Sequence, residues 1–225
     1  MKIDLIHFTG KGTSDETWYA ARLLAFSKNT HLQMNLGGFN SWLNVPLEVV
    51  VSELEGMLTE IPRSWEFVDV TFSVNDITQV CAQRLIRTHP DHYEIQPQRL
   101  MDMSEVGFLI PDSVPENLKM RYRLMINTSI DGYRVLVKDG VSLEDARGVL
   151  PMNAYCSLIL KYSLYNLIGV IHPQPKMKGE YQEVIKNMAT EVLIVWPWLN
   201  NFLDQKPEIK SRHERESDLI KKESS

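Results

Sequence analysis

Cysteine is scarce in this chain. Cys81 and Cys156 are the two in 225 residues, far apart and each inside an apolar run. Two such residues cannot frame a disulfide-stapled fold or a four-ligand zinc site, and cysteine in apolar surroundings is usually a small buried hydrophobe. A reduced, cytoplasmic protein is expected. No window reaches the roughly 20 apolar residues of a membrane span, and Asp4 interrupts the short apolar start, which makes it a poor signal peptide. Excess positive charge is missing too. With 24 Lys+Arg against 29 Asp+Glu and a net charge of −5, a nucleic-acid polymer or an anionic membrane is a poor partner, whereas a mononucleotide is still compatible. The chain also has no Gly-x-Gly-x-x-Gly, no Walker lysine motif, no Gly-x-Ser-x-Gly elbow and no repeat. Dehydrogenase, NTPase and hydrolase readings therefore lack support.

What is present reads as an ordinary globular protein, 44% hydrophobic and 24% charged. The length suits one α+β domain over residues 1–204, a mixed or antiparallel sheet flanked by long helices, with a charged tail over 205–225 that lacks an apolar face. Residues 2–9 alternate as a first strand, and Thr13-Ser14-Asp15-Glu16 offers a capping box for a helix carrying Trp18, Ala21, Leu24 and Ala25 inward. Gly37-Gly38 reads as a turn. Asn44 and Pro46 announce a second helix with Leu47, Val50, Val51, Leu54 and Leu58 on one face, ended by Ile61-Pro62. Residues 67–74 alternate as a strand with one wet face, and Asn75-Asp76 turns the chain. Ile77, Val80, Cys81 and Leu85 then mark a helix that delivers Arg84 and Arg87 to its C-terminal end, where they suit the helix dipole.

Residues 106–110 make a short apolar strand, and Pro115 begins a long helix closed by Asp139-Gly140. Ser142 caps a short helix that presents Arg147 and breaks at Leu150-Pro151. Residues 152–170 are ambiguous between strand and helix, and residues 181–202 form an amphipathic helix with Val184, Met188, Val192 and Trp196 inward.

The segment after Arg87 is the most informative. Arg87 and Arg99 stand twelve positions apart and bracket Pro90 and Pro97, which forbid helix continuation and oblige the backbone to turn. Such a loop suits an anion. His89 and His92 as metal ligands are disfavoured by the intervening Pro90 and by the lack of a third ligand. Asp91 and Glu94 oppose a simple phosphate cradle, or orient the two histidines. Without a wider frame the arginines also read as solvated surface charge, and Arg147 as a residue closing a helix.

At these residues the chain resembles the flavin-dependent thymidylate synthases. Their signature loop reads Arg-His-Arg, seven residues, then a serine-containing stretch ending in Arg-Tyr. Arg87 matches its first arginine and Gln98-Arg99 its end, with Thr88 at the histidine, His89 at the second arginine, Pro97 at the serine and Leu100 at the tyrosine. Asp145-Ala146-Arg147-Gly148-Val149-Leu150-Pro151 is similar to the family's Asp-Ala-Arg-x-Val-Leu-Pro element, and Thr71-Phe72-Ser73-Val74 to its Thr-Phe-x-Val strand.

The resemblance implies a family that binds FAD and dUMP at the interfaces of a homotetramer. It moves a one-carbon unit from methylenetetrahydrofolate, a folate, to uracil C5, with reduced flavin as hydride source and NADPH as reductant. It further implies that Arg84, Arg87, Gln98, Arg99 and Arg147 serve a pyrimidine mononucleotide. Thr88, His89, Pro90, Ser163 and Tyr165 fall at flavin positions, and Arg87, Arg147 and Gln174 at the reacting base. Several positions depart from the pattern. Ser163 and Tyr165 replace an Asn-x-Arg pair, Gly169 an asparagine, Gln174 a base-contacting arginine and Phe67 a flavin-contacting histidine. A neutral Gln174 stabilises developing charge on a uracil oxygen less than arginine does, by a margin on the order of 3 kcal/mol per lost donor in comparable sites. Three outcomes follow: C5 methylation of dUMP; C5 hydroxymethylation, or modification of another pyrimidine nucleotide; and a nucleotide-binding homologue without flavin chemistry.

Overall fold

Alternating burial builds the sheet. Val70, Phe72 and Val74 are fully buried, while Asp69, Thr71 and Ser73 between them are half-exposed, the period of a strand with one packed face. The structure, a computed structural model, describes residues 1–29, 35–57, 63–172 and 178–203. In chain order its elements are β1 (Lys2–Phe8), α1 (Glu16–Lys28), α2 (Leu36–Trp42), α3 (Leu47–Glu55), β2 (Asp69–Thr78), α4 (Gln79–Ile86) and β3 (His92–Ile95). They continue with α5 (Glu116–Lys138), α6 (Leu143–Ala146), β4 (Tyr155–Ser163), α7 (Leu164–Ile171), α8 (Glu180–Val195) and α9 (Asn200–Leu203). The Leu58 and Ile61-Pro62 expectations, and the charged tail, lie outside the described residues. Among those described, no helix is long and apolar enough to cross a membrane.

The chain divides into two compact units, one of residues 1–8 and 69–192, the other of residues 9–68 and from Leu193 onward. The first is built on a sheet in the order β1-β2-β4-β3, antiparallel at every pairing. This is an α+β architecture. The expected turn at Asn75-Asp76 is instead a bulge inside β2. Val74 pairs with Leu158 and Ile77 with Cys156, so β2 carries one residue more than β4 across this interval. Asp76 absorbs it at φ 55°, a left-handed conformation in which aspartate is enriched. Inward parity thus changes from Val74 to Ile77, both fully buried.

Residues 152–170 resolve into β4 followed directly by α7. The 106–110 segment contributes only an isolated bridge, Phe108 to Ala154. The long helix expected from Pro115 is α5. Pro115 precedes its first residue, and Gly140, at φ 88°, provides the left-handed stop after it. A small core of Met103, Tyr133 and Ala146 ties α5 to α6, and the Tyr133 hydroxyl accepts the Met103 amide at 3.0 Å.

In the second unit, α1 buries Ala20, Ala21, Leu24 and Ala25, with Trp18 only half-buried. The Glu16 carboxylate accepts the Gly12 amide at 2.6 Å, which fixes the entry to α1. Gly37-Gly38 form the first turn of α2 and not a loop turn, because the Asn35 side chain caps it by accepting the Gly38 amide at 2.9 Å. Pro46, two residues later than the expected Asn44, stands at the N-cap of α3. Arg22 is buried and satisfied, donating to the Val45 carbonyl at 2.6 Å and to Asp15 at 3.2 Å. The helix expected over 181–202 stops at Val195, since Pro197 cannot continue it, and resumes as α9 after one 3-10 turn.

Candidate functional site

The bulge in β2 delivers Thr78 to the N-cap of α4, where its hydroxyl accepts the Cys81 amide at 3.1 Å. Glu180, the first residue of α8, closes on the same corner. Its two carboxylate oxygens accept the Thr78 amide at 2.8 Å and the Thr78 hydroxyl at 2.6 Å. The next residue, Tyr181, sets its ring 3.9 Å from the Arg84 guanidinium, a cation–π contact. Two consecutive residues of α8 therefore grip both ends of α4. Arg84, Tyr155, Tyr181, Asn153, Lys178 and Glu180 belong to the wall of a cavity of about 760 Å³, within the size range of small-molecule sites.

Burial pushes the thiols of Cys81 and Cys156 up to about 12, with the nearby Glu180 charge adding to the rise. Both therefore stay protonated, and the thiolate is the reactive species. We expect iodoacetamide at pH 8 to label neither cysteine in the native protein and both in urea. Rapid labelling of the folded protein would contradict this reading.

From the end of α4 the chain enters the loop that carries Arg87. Thr88 faces inward, its hydroxyl donating to the Leu85 carbonyl at 2.6 Å and meeting the Tyr162 hydroxyl at 2.7 Å. Burial raises the Tyr162 phenol well above its usual range, against the lowering effect of the Thr88 bond. His89 is exposed and left-handed, at φ 57°. The Asp91 amide then donates to the Lys161 carbonyl at 2.9 Å, and β3 pairs along β4 from His92 to Ile95. The loop therefore contains a strand that sequence periodicity did not reveal. Asp91 points to the start of α7, accepting from the Ser163 amide and from Asn166 Nδ2. Glu94, and not Asp91, is the carboxylate near His92, at 3.8 Å.

Arg87 and Arg99 are both exposed. The arginines found in ion pairs among the described residues are Arg22, Arg134 and Arg147, which leaves the charges of Arg87 and Arg99 open to a ligand. Gln98 Nε2, one residue before Arg99, is buried without a hydrogen-bond partner. Arg147 is held locally, its Nε donating to the Glu144 carbonyl at 3.1 Å, yet it is exposed. Arg99 and Arg147 lie on segments flanking the Met103–Tyr133–Ala146 core, whereas Arg84 lines the cavity beside Tyr181. Among the described residues, no hydrogen bond or ion pair joins Arg84 to Arg99 or Arg147.

Of the remaining expected residues, Pro90 is half-buried, Ser163 is 5% exposed and Tyr165 9%. The Ser163 hydroxyl, like Gln98 Nε2, is buried without a partner, and such atoms call for explanation by an absent group. Gln174 lies outside the described residues. Sequence reasoning missed Glu180, Tyr181 and Tyr162. An acidic residue opening a helix was the available signal for Glu180, while ring placement over Arg84 left none.

Residues 50–198 match the family described as thymidylate synthase complementing protein. The chain is similar to the flavin-dependent thymidylate synthase of Geobacter sulfurreducens, 34% identical over 132 residues, covering 57% of this chain and 56% of that protein. It is similar to the enzyme of the same name from Thermococcus onnurineus, 25% identical over 212 residues, 87% of this chain and 83% of that one. It also resembles that of Pyrococcus furiosus, 28% identical over 108 residues, 45% and 44%. The matched stretch thus spans little more than half the length of the first of these relatives.

Proposed function

Because the chain belongs to the flavin-dependent thymidylate synthase family, we propose that it alkylates C5 of a pyrimidine nucleotide, with dUMP as substrate, methylenetetrahydrofolate as one-carbon donor, FAD as cofactor and NADPH as reductant. The observation that carries this reading is the Arg87–Arg99 segment, where two exposed arginines lie outside any ion pair among the described residues and an unpartnered Gln98 Nε2 adjoins one of them.

Arg99 and Gln98 hold the phosphate. A guanidinium makes bidentate, charge-assisted bonds to phosphate and stays charged at every working pH. Arg87 and Arg147 approach the same nucleotide from separate segments, and Arg84 borders the cavity where Tyr181 limits its rotation. Gln174 takes the base edge, to which its amide presents both a donor and an acceptor. The donors present fit a flavin: the Ser163 hydroxyl lacks a partner and His89 is exposed. When bound, the flavin supplies the hydride. The protein's own work is to orient the nucleotide and to place cationic groups where negative charge develops on the base.

Assembly as a homotetramer is part of this reading. Leu118, Met120, Leu124, Met125 and Val135 are exposed along α5, an apolar surface of the kind that marks an interface. Light scattering is expected to give four times the 26.0 kDa chain mass.

The test is mass spectrometry of dUMP incubated with protein, reduced FAD and methylenetetrahydrofolate. The expected result is a product one methyl heavier, and a hydroxymethyl gain would identify the variant reaction. Arg99→Ala should weaken dUMP binding roughly 10- to 100-fold, the scale of a lost charge-assisted bond. The replacement of the family's Asn-x-Arg pair by Ser163 and Tyr165 and of its flavin-contacting histidine by Phe67 favours a second reading, a nucleotide-binding homologue without flavin chemistry. A colourless protein that binds dUMP but not FAD, and yields no product, would establish that reading and remove the first.

A further inference from the structure

A loop that holds an anion has no evident use for a carboxylate, yet Asp91 stands inside this one. Its charge is directed away from the loop. One carboxylate oxygen accepts the Ser163 backbone amide, and the other accepts Asn166 Nδ2 at 2.9 Å, which places the negative charge on the first turn of α7. The positive end of the helix dipole compensates it there, and the arrangement satisfies the amide at the N-cap. Ser163 makes no side-chain capping bond of its own.

The corner beside Asp91 needs such support. His89 is a non-glycine residue at φ 57°, a conformation that costs about 1–3 kcal/mol and persists where its surroundings over-determine it. The loop is fastened on both sides of this residue. Before it, the Thr88 hydroxyl is bonded to the Leu85 carbonyl and to Tyr162. After it, Asp91 is held by its backbone amide to Lys161 and by its carboxylate to α7. His89 projects from the short stretch that these anchors define, and Arg87 stands directly before it as the C-cap of α4.

We propose that Asp91 is a positioning residue, which pins the left-handed corner to α7 so that the adjoining Arg87 faces the nucleotide while its own charge is spent on the helix. The proposal rests on the nucleotide-binding reading of the loop. It is opposed to a simpler role in which Asp91 is only a like charge that weakens anion binding, and the two differ in sign.

The experiment is calorimetric titration of the full-length chain with dUMP, for the parent, Asp91→Ala, Asp91→Asn and Arg87→Ala, with circular dichroism and melting curves to confirm folding. Asp91→Ala is expected to lose roughly tenfold in affinity, equivalent to about 1.4 kcal/mol. Asp91→Asn keeps an acceptor oxygen and is expected to recover most of that loss, a rescue that a merely electrostatic role would not produce. A folded Asp91→Ala that binds dUMP as tightly as the parent, or more tightly, overturns the proposal. Should Asp91→Ala fail to fold, Asn166→Ala removes one partner and leaves the carboxylate. Weaker dUMP binding then supports positioning, and unchanged binding overturns it. If Arg87→Ala leaves affinity unchanged while Asp91→Ala lowers it, the role of Arg87 fails and the positioning assignment to that residue fails with it. If the parent itself does not bind dUMP, the underlying reading is what has failed.

Discussion

Replacing Trp65 with alanine is expected to destabilise the protein by about 3–5 kcal/mol, the range for truncating a buried aromatic. Trp65 is fully buried. Its ring stands edge-on to Phe202 at 4.8 Å and to Trp198 at 6.4 Å, and its Nε1 donates to Met57 Sδ at 3.1 Å. These partners come from the segments on either side of the sheet-bearing part of the chain, residues 9–68 and the stretch from Leu193 onward. Alanine therefore leaves a cavity that separate segments must collapse to fill. Trp65→Phe retains a ring and loses the donor, and should cost less. Urea unfolding curves for both variants provide the check. A loss below about 1 kcal/mol for Trp65→Ala would show that the cluster relaxes around the gap, contrary to the rigid packing expected of protein interiors.

Glu180→Ala has the second large effect, about 2–4 kcal/mol. The carboxylate is the acceptor for both the amide and the hydroxyl of Thr78, a residue only 4% exposed. Removing it orphans two donors, each worth about 1–3 kcal/mol when buried and unsatisfied. The first turn of α4 retains its Thr78–Cys81 bond, so the helix should persist and the loss should appear in the joint between α4 and α8. Glu180→Gln retains one acceptor and should lose roughly half as much. Because Tyr181 follows Glu180 and stacks on Arg84, the alanine variant should also show a changed tyrosine environment in near-ultraviolet dichroism. An unchanged melting curve would rule out the joint.

Helices α4, α5 and α6 were legible because their signals are local. Pro115 and Gly140 bracket α5, Ser142 caps α6, and apolar spacing marks α4. The antiparallel sheet was legible through β2, whose alternation is strict. The bulge was not, because Asn75 and Asp76 are the residue types that also end strands, and only pairing with β4 shows that the strand continues. β3 escaped notice for a related reason. His92, Tyr93 and Glu94 are exposed, so no periodic burial marks them, and their pairing with β4 is nonlocal. In the candidate site, the exposure of Arg87 and Arg99 accords with a ligand-facing loop. The side-chain chemistry of Thr88 and Asp91 could not be anticipated, since it depends on Tyr162, Ser163 and Asn166, more than seventy residues later.

The extra residue in β2 makes the frame of the strand a functional quantity. Before it, even-numbered positions point inward, and after it Ile77 does. The bulge acts as a phase adjuster: deleting Asp76 would restore strict alternation with Ile77 still inward and still opposite Cys156, whereas deleting Ser73 from the regular part of the strand would turn the residues on one side of the cut outward. Homologous chains that keep the same chemistry should therefore tolerate loss of a residue at Asn75 or Asp76 far better than loss of one from residues 70–74.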